Sequence, residues 1–154
     1  SKEAVNKIFK LKQRAEYKSM VVLVCDEKMV NRYVKEVPAV AWDLIEAAEE
    51  PLTLIYPDGR MLAENIIAAD GSVGIRIVKD EFCKNLIHKF GKPIVSTSAN
   101  VSGEASPNSF NDIKLDIMNK VDYIVNLRQK EINNTKPSTI IKIAMNGEFK
   151  IIRK

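Results

Sequence analysis

Short apolar runs alternate along the chain with amphipathic stretches, which predicts a fold that combines strands and helices. The predicted strands are Ser19–Cys25, Leu52–Tyr56, Ser72–Val78, Pro93–Val95 and Tyr123–Val125. The predicted helices are a short one around Val5, Ile8 and Phe9, then Glu27–Val34, Ala39–Glu49, Asp80–Phe90 and Ser109–Asn119. We therefore expect a single α/β domain over residues 1–154, with a twisted mixed β-sheet and helices packed against it.

Apolar positions within the predicted helix Asp80–Phe90 indicate which side of it faces the core. The residues expected to point inward are Phe82, Cys83, Leu86, Ile87 and Phe90. The histidine of this helix, His88, falls off that side and is expected to be exposed.

Near the carboxyl end, two apolar runs are joined by Asn146-Gly147, a strong signal for a β-hairpin. A two-residue turn would place Ala144 opposite Phe149 and Ile140 opposite Arg153. Because side chains alternate along a strand, Ser138 then shares a face with Arg153. The open end of the hairpin is thus predicted to hold a hydroxyl beside a guanidinium group.

Composition limits the class of protein. The chain is 45% hydrophobic and 29% charged, as is usual for a soluble domain, and no apolar run reaches membrane-spanning length. Cys25 and Cys83 sit far apart inside apolar runs, which favours a reducing, cytoplasmic setting. With one histidine and no Cys-x-x-Cys, we predict no metal site made by protein ligands alone.

The net charge of +4 is concentrated at the amino-terminal end. Between Ser1 and Lys18, six cations face two anions, and that difference of four equals the whole excess. The cations are Lys2, Lys7, Lys10, Lys12, Arg14 and Lys18. Such a patch is typical either of a phosphate or nucleic-acid contact or of a solvated helix face.

A polar segment, Gly91–Gly103, follows a predicted strand directly. It contains Ser96, Thr97, Ser98, Asn100 and Ser102, whose groups both donate and accept hydrogen bonds. Two interpretations are open: a solvated connection, or a site that binds a ligand rich in oxygen atoms.

Arg76 interrupts the apolar strand Ser72–Val78. An unpaired buried charge is very costly, so the guanidinium group needs an anionic partner. That partner is either a carboxylate of the protein or a substrate.

Several motifs lie in order along the chain: KLKQR at 10–14, PLTLIYP at 51–57, SVGIRIV at 72–78, GKPIVSTSANVSG at 91–103, Ser106-Pro107, KPSTII at 136–141 and the closing IIR. Taken together, they resemble the threonylcarbamoyl-AMP synthase family, also called the YrdC-type domain. The resemblance implies an enzyme that joins L-threonine, bicarbonate and ATP into threonylcarbamoyl-adenylate, releasing pyrophosphate. The family's product serves the threonylcarbamoyladenosine modification of transfer RNA.

Roles for individual residues follow from the same resemblance. It implies that Lys12, Arg14 and Lys18 contact the phosphates of ATP. Further nucleotide contacts are implied for Ser72, Ser98, Asn100, Ser106 and Arg153. For the threonine end, it implies Arg76, Ser96 and Ser138. No general base is implied, and the enzyme would act by aligning its substrates and stabilising negative charge.

The resemblance also implies partners. Magnesium is expected with ATP, and a transfer RNA or a tRNA-modifying transferase is expected downstream. The family normally begins with a strand and turn of the type PTETVYGLG, so we expect that this amino-terminal segment is missing from the sequence. The alternative is a non-catalytic module of the same fold that binds RNA or a nucleotide.

Overall fold

The computed structural model describes residues 1–13, 20–132 and 137–154, which contain five α-helices and six strands. The helices are α1 (Lys2–Leu11), α2 (Glu27–Tyr33), α3 (Val40–Ala47), α4 (Glu81–Phe90) and α5 (Leu115–Met118). The strands are β1 (Val21–Val24), β2 (Leu52–Tyr56), β3 (Val73–Ile77), β4 (Ile94–Ser96), β5 (Thr139–Ile143) and β6 (Phe149–Arg153). Short 3-10 turns occur at Glu64–Ile66 and Phe110–Asp112.

The strands form one six-stranded sheet in the order β4-β1-β3-β2-β5-β6. β1 is parallel to β3 and β2 is parallel to β5, whereas the other neighbouring pairs are antiparallel. The predicted α/β fold with a mixed sheet is therefore confirmed.

One face of the sheet carries the hydrophobic core. Val22, Ile75, Leu54 and Ile141 are neighbours across four strands and all are buried. Helices α1, α2 and α3 pack against this face through side chains that include Val5, Phe9, Val30, Tyr33 and Ala41. The predicted opening helix thus buries its apolar side, and Ser1 caps it by accepting a hydrogen bond from the Ala4 backbone N–H.

The opposite face is covered only in part. It carries Leu23 beside Arg76, and Thr53 beside Ile140. A second, smaller apolar cluster forms where Ile87 of α4 packs with Cys25 and Val78. The polar side chains of Arg76 and Thr53 interrupt the apolar surface of this face.

Helix α4 differs from the prediction. Ile87 is fully buried and His88 is exposed as expected, but Phe82, Leu86 and Phe90 are 38%, 44% and 59% exposed. The prediction that these three point inward is wrong, because within the described residues only the side of α4 that carries Ile87 meets the sheet.

Two elements predicted in the second half of the chain are wrong. Tyr123–Val125 belongs to no strand. The predicted helix Ser109–Asn119 is split into the turn Phe110–Asp112 and the short helix α5. Extended backbone at Ile113 and Lys114, with ψ of 120° and 142°, interrupts it.

The hairpin of β5 and β6 is confirmed, although its turn is longer than predicted. Gly147 has φ +84°, and its N–H donates to Ala144 O at 3.1 Å, so Phe149 pairs with Ile143 instead of Ala144. A bulge leaves Ile152 without an opposite residue and moves the register by one. Ile140 consequently lies opposite Arg153, as predicted.

Among the described residues, no helix has the length and apolar character needed to cross a bilayer.

Candidate functional site

A cavity of about 810 Å³ opens over the uncovered face of the sheet. Val21, Arg76 and Ile140 contribute to its floor. Its walls come from Ser96–Ala99 after β4, from Ser106–Phe110, and from Leu127–Gln129. Ser138 and Arg153 line the end nearest the hairpin. A cavity of this size suits a nucleotide or a ligand of similar bulk.

Two guanidinium groups converge on Ser138 in this cavity. Arg76 Nη2 donates to Ser138 Oγ at 2.6 Å, and Arg153 Nη2 approaches the same oxygen at 3.3 Å. Arg153 also donates to the Ser138 carbonyl oxygen through Nε at 3.1 Å and Nη2 at 2.8 Å. The hydroxyl and guanidinium predicted at the open end of the hairpin are therefore side by side.

The charge of this pair is not balanced by protein carboxylates in the described parts of the chain. No ion pair there includes Arg76 or Arg153. Partial burial, with the nearby charge of Arg153 as a smaller cause, lowers the pKa of Arg76 from its ordinary value. The sequence leaves two partners open for Arg76, a protein carboxylate or a substrate. Among the described residues, Arg76 bonds only to the hydroxyls of Thr53 and Ser138. The geometry therefore favours an anionic ligand over a protein carboxylate.

The polar segment after β4 forms one wall of the cavity. Ser96, Thr97 and Ser98 line it, whereas Asn100 does not. Asn100 Nδ2 instead donates to Glu104 O at 2.7 Å, so it bonds to the backbone just after the segment. These three residues thus line the cavity, and the amide of Asn100 holds the shape of the loop.

Lys12 is 2% exposed at the carboxyl end of α1. Its ammonium group donates to Ser98 O at 2.5 Å and to Asn100 O at 2.6 Å. The Ser102 N–H donates back to Lys12 O at 2.9 Å. Lys12 therefore fastens the polar segment to α1, and it is not among the residues that line the cavity.

Ser72 precedes β3 and also lies away from the cavity lining. Its hydroxyl donates to Asp70 Oδ1 at 2.5 Å, and Asp70 Oδ2 accepts from Lys142 Nζ at 2.8 Å.

Of the other residues predicted to contact the nucleotide, Ser106 lines the cavity. Arg14 and Lys18 lie outside the described residues.

A strap formed by residues 121–132 contributes a further part of the cavity wall. Its Arg128 has φ +54°, lines the cavity, and forms an ion pair with Asp80 at 2.6 Å. Ser109 and Ile132 form an isolated β-bridge that joins this strap to the Ser106–Phe110 wall.

Within the described ranges, no three His, Cys, Asp or Glu side chains group as metal ligands.

Sequence reasoning missed two residues of this site. Thr53 is buried between Arg76 and Ser138, but a threonine in a strand carries no signal beyond β-propensity. Arg128 follows Tyr123–Val125, which the sequence predicts as a strand. It reaches the cavity through a segment without regular structure, whose path the sequence pattern does not indicate.

Comparison with known proteins agrees with this arrangement. A family model for Sua5, YciO and YrdC, described as Telomere recombination, matches residues 1–154. The chain belongs to the Sua5/YciO/YrdC family. It is 31% identical over 144 residues to "Putative threonylcarbamoyl-AMP synthase" of Methanocaldococcus jannaschii, covering 93% of this chain and 66% of that protein. It is 27% identical to the threonylcarbamoyl-AMP synthase of Pseudoalteromonas translucida, covering 96% of this chain and 79% of that protein.

Solved structures of this family have the same fold. Sua5 of P. abyssi, crystallised in complex with L-threonine, superposes with a TM-score of 0.78 at 26% identity. The superposition covers 92% of this chain and 41% of that one. Escherichia coli YciO gives a TM-score of 0.81 at 20% identity, covering 99% of this chain and 73% of that one, and is a likeness of fold alone.

Proposed function

We propose that this protein condenses L-threonine, bicarbonate and ATP into threonylcarbamoyl-AMP, releasing pyrophosphate, in support of tRNA threonylcarbamoyladenosine formation. The observation that carries the proposal is the convergence of Arg76 and Arg153 on Ser138 inside a large cavity. Two cations without a carboxylate partner among the described residues favour a ligand that brings negative charge.

The geometry suits a reaction that joins two anions. The threonine amine and bicarbonate first combine into a carbamate, forming a C–N bond with loss of water. A carbamate oxygen then attacks the α-phosphate of ATP, a P–O bond forms, and the bond to the leaving pyrophosphate breaks. Negative charge on the phosphoryl oxygens grows during this step, so fixed cations and N–H donors lower its barrier. In this proposal Arg76 holds the threonine carboxylate, and Arg153 lies at the junction with the nucleotide.

The hydroxyls of the cavity complete the assignment. Ser96 and Ser138 lie on the threonine side of the proposed site, while Ser98 and Ser106 contact the nucleotide. Lys12 and Asn100 act by holding the Ser98 loop in place. ATP would carry magnesium bound mainly by its own phosphates and water. The chief contribution of the protein is to hold the threonine carbamate and ATP close together.

Named relatives support the same reaction. The relative from Pseudoalteromonas translucida carries the name threonylcarbamoyl-AMP synthase, and the relative from Methanocaldococcus jannaschii is named "Putative threonylcarbamoyl-AMP synthase". L-threonine is the ligand of the P. abyssi Sua5 complex. These names motivate the choice of threonine as the amino acid to test.

The alternative function, RNA binding by the amino-terminal cations, is weakened by the contacts that two of these cations make within the protein. Lys12 is buried against backbone carbonyls, and Lys2 forms an ion pair with Glu64. These two ammonium groups are therefore engaged within the protein. Binding of tRNA or of a transferase remains part of the proposal only as a downstream step.

The proposal is tested by pyrophosphate release from the purified protein, with each substrate omitted in turn. We expect release that requires ATP, threonine and bicarbonate together. Arg76→Gln should lower kcat/KM roughly 100-fold or more, because it removes the cation that holds the threonine carboxylate. Arg32→Gln on α2, away from the cavity, is the matched control and should retain activity. Release that continues without threonine, or that is unaffected by Arg76→Gln, would contradict the proposal.

A further inference from the structure

The buried hydroxyl of Thr53 connects the two side chains that carry the proposed threonine end of the site. Thr53 lies on β2 and is 1% exposed, so it does not reach the cavity itself. Arg76 lies on the neighbouring strand β3, and Ser138 immediately precedes β5 on the other side. Thr53 thus occupies the position between them in the sheet.

Hydrogen bonds close a triangle around these residues. Arg76 Nε donates to Thr53 Oγ1 at 3.1 Å, and Arg76 Nη2 donates to Ser138 Oγ at 2.6 Å. The Thr53 and Ser138 hydroxyl oxygens are 3.0 Å apart. Two points of attachment fix the plane of a guanidinium group, whereas one leaves it free to rotate.

The hydroxyl oxygens of Thr53 and Ser138 each take part in more than one hydrogen bond. A hydroxyl oxygen accepts two hydrogen bonds and donates one. Ser138 Oγ already accepts from Arg76 Nη2 and, at longer range, from Arg153 Nη2. Either hydroxyl can donate across the 3.0 Å contact between Thr53 Oγ1 and Ser138 Oγ, and Thr53 Oγ1 also accepts from Arg76 Nε. Thr53 is consequently the group that links Arg76 to Ser138 within the sheet.

The methyl group of Thr53 keeps this oxygen in place. A Cβ atom at Gly74 would lie 3.7 Å from Thr53 Cγ2, which is ordinary packing distance. The methyl therefore packs toward Gly74 of β3 while Oγ1 faces Arg76. A β-branched side chain has few χ1 alternatives, so the hydroxyl position is well defined.

We propose that Thr53 is a positioning residue for the anion-binding end of the site, acting through Arg76 and Ser138. Its hydroxyl orients the Arg76 guanidinium so that the remaining N–H groups face a carboxylate in the cavity. The inference rests on the proposed function for the identity of that carboxylate, but the orientation of Arg76 does not depend on catalysis.

The experiment compares Thr53→Val, Thr53→Ser and wild type in two measurements. The first is the Nε–Hε cross peak of Arg76 in a ¹H–¹⁵N spectrum, assigned by its loss in Arg76→Lys. We expect a protected peak in wild type and Thr53→Ser, and a peak broadened by exchange in Thr53→Val. The second is pyrophosphate release, where Thr53→Val should raise KM for threonine roughly tenfold or more and change KM for ATP less than about threefold. Thr53→Ser should restore most of the loss.

Thr139→Val is the matched control, because it makes the same change on β5, and no hydrogen bond of its hydroxyl to described residues is found. It should leave both measurements unchanged. An undisturbed Arg76 peak in Thr53→Val would overturn the inference. Equal changes in KM for both substrates, together with a lower melting temperature, would also overturn it by showing a merely structural role. If no variant, wild type included, released pyrophosphate while the Arg76 peak still responded to Thr53→Val, the proposed function would fail and the positioning role would stand.

Discussion

At the scale of single residues, the most informative side chain is the buried Lys12. The sequence identifies Lys12 as one of the cations at the amino-terminal end, and the structure buries this residue. Sequence could not predict its partners, because Ser98 and Asn100 are more than eighty residues away along the chain. The ammonium group fastens α1 to the loop that forms a wall of the cavity.

Lys12→Met is expected to lower the free energy of unfolding by roughly 2–4 kcal/mol, since it leaves buried carbonyl oxygens without a charged donor. Urea denaturation measures the difference, and Lys10→Met, an exposed position on the same helix, should change stability by less than about 0.5 kcal/mol. If Lys12→Met raised KM for ATP without affecting stability, Lys12 would instead act on the nucleotide directly.

At the scale of elements, the strands and helices of the first half followed from hydrophobic periodicity, while several later elements did not. The Asn146-Gly147 signal predicted the hairpin correctly but not its turn, because Gly147 adopts positive φ whereas Asn146 does not, and a two-residue type I′ turn requires it at both positions. The helix predicted at Ser109–Asn119 failed because extended residues divide it. Periodicity identifies which residues are apolar, but it does not show where the backbone leaves a helix.

At the amino-terminal end of helix α4, Asp80 both caps the helix and links it to the strap through an ion pair. Asp80 caps α4 by accepting from the Cys83 N–H at 2.9 Å and pairs with Arg128, and these contacts lower the pKa of Asp80 from its ordinary value of 3.8. A lowered folded-state pKa stabilises the fold above pH 3.8, and the effect is lost as pH falls through the folded value.

Asp80→Ala should therefore lower the free energy of unfolding by about 1 kcal/mol at pH 7, through loss of the cap. Asp80→Asn, which keeps a capping oxygen without the charge, should cost only a few tenths of a kcal/mol, because an exposed ion pair contributes little. Thermal unfolding across pH 2–7 checks the sign: the gap between wild type and Asp80→Asn should shrink as pH falls below about 4. A gap that widened in acid would contradict this account of Asp80.

At the scale of the whole molecule, the order of strands could not be read from hydrophobic pattern, since every pairing except the β5–β6 hairpin joins residues far apart in sequence. Motif resemblance identified the family and named Arg76, Ser138 and Arg153, whose meeting point depends on β3, β5 and β6 in register. Thr53 was missed because its role depends on what lies on either side of β2 in the folded sheet. The cavity is thus a property of the uncovered sheet face, and no single motif encodes it.

The most direct test of the central claim is the affinity of the protein for L-threonine and for L-threoninamide, which lacks the carboxylate, measured by calorimetry in wild type and Arg76→Gln. We predict that wild type binds threonine at least about tenfold more tightly than the amide, since a charge-assisted contact is lost. Arg76→Gln should bind both ligands with similar, weaker affinity, because the cation that distinguishes them is gone. Equal affinity of wild type for the two ligands would contradict the claim that Arg76 holds the carboxylate of the substrate.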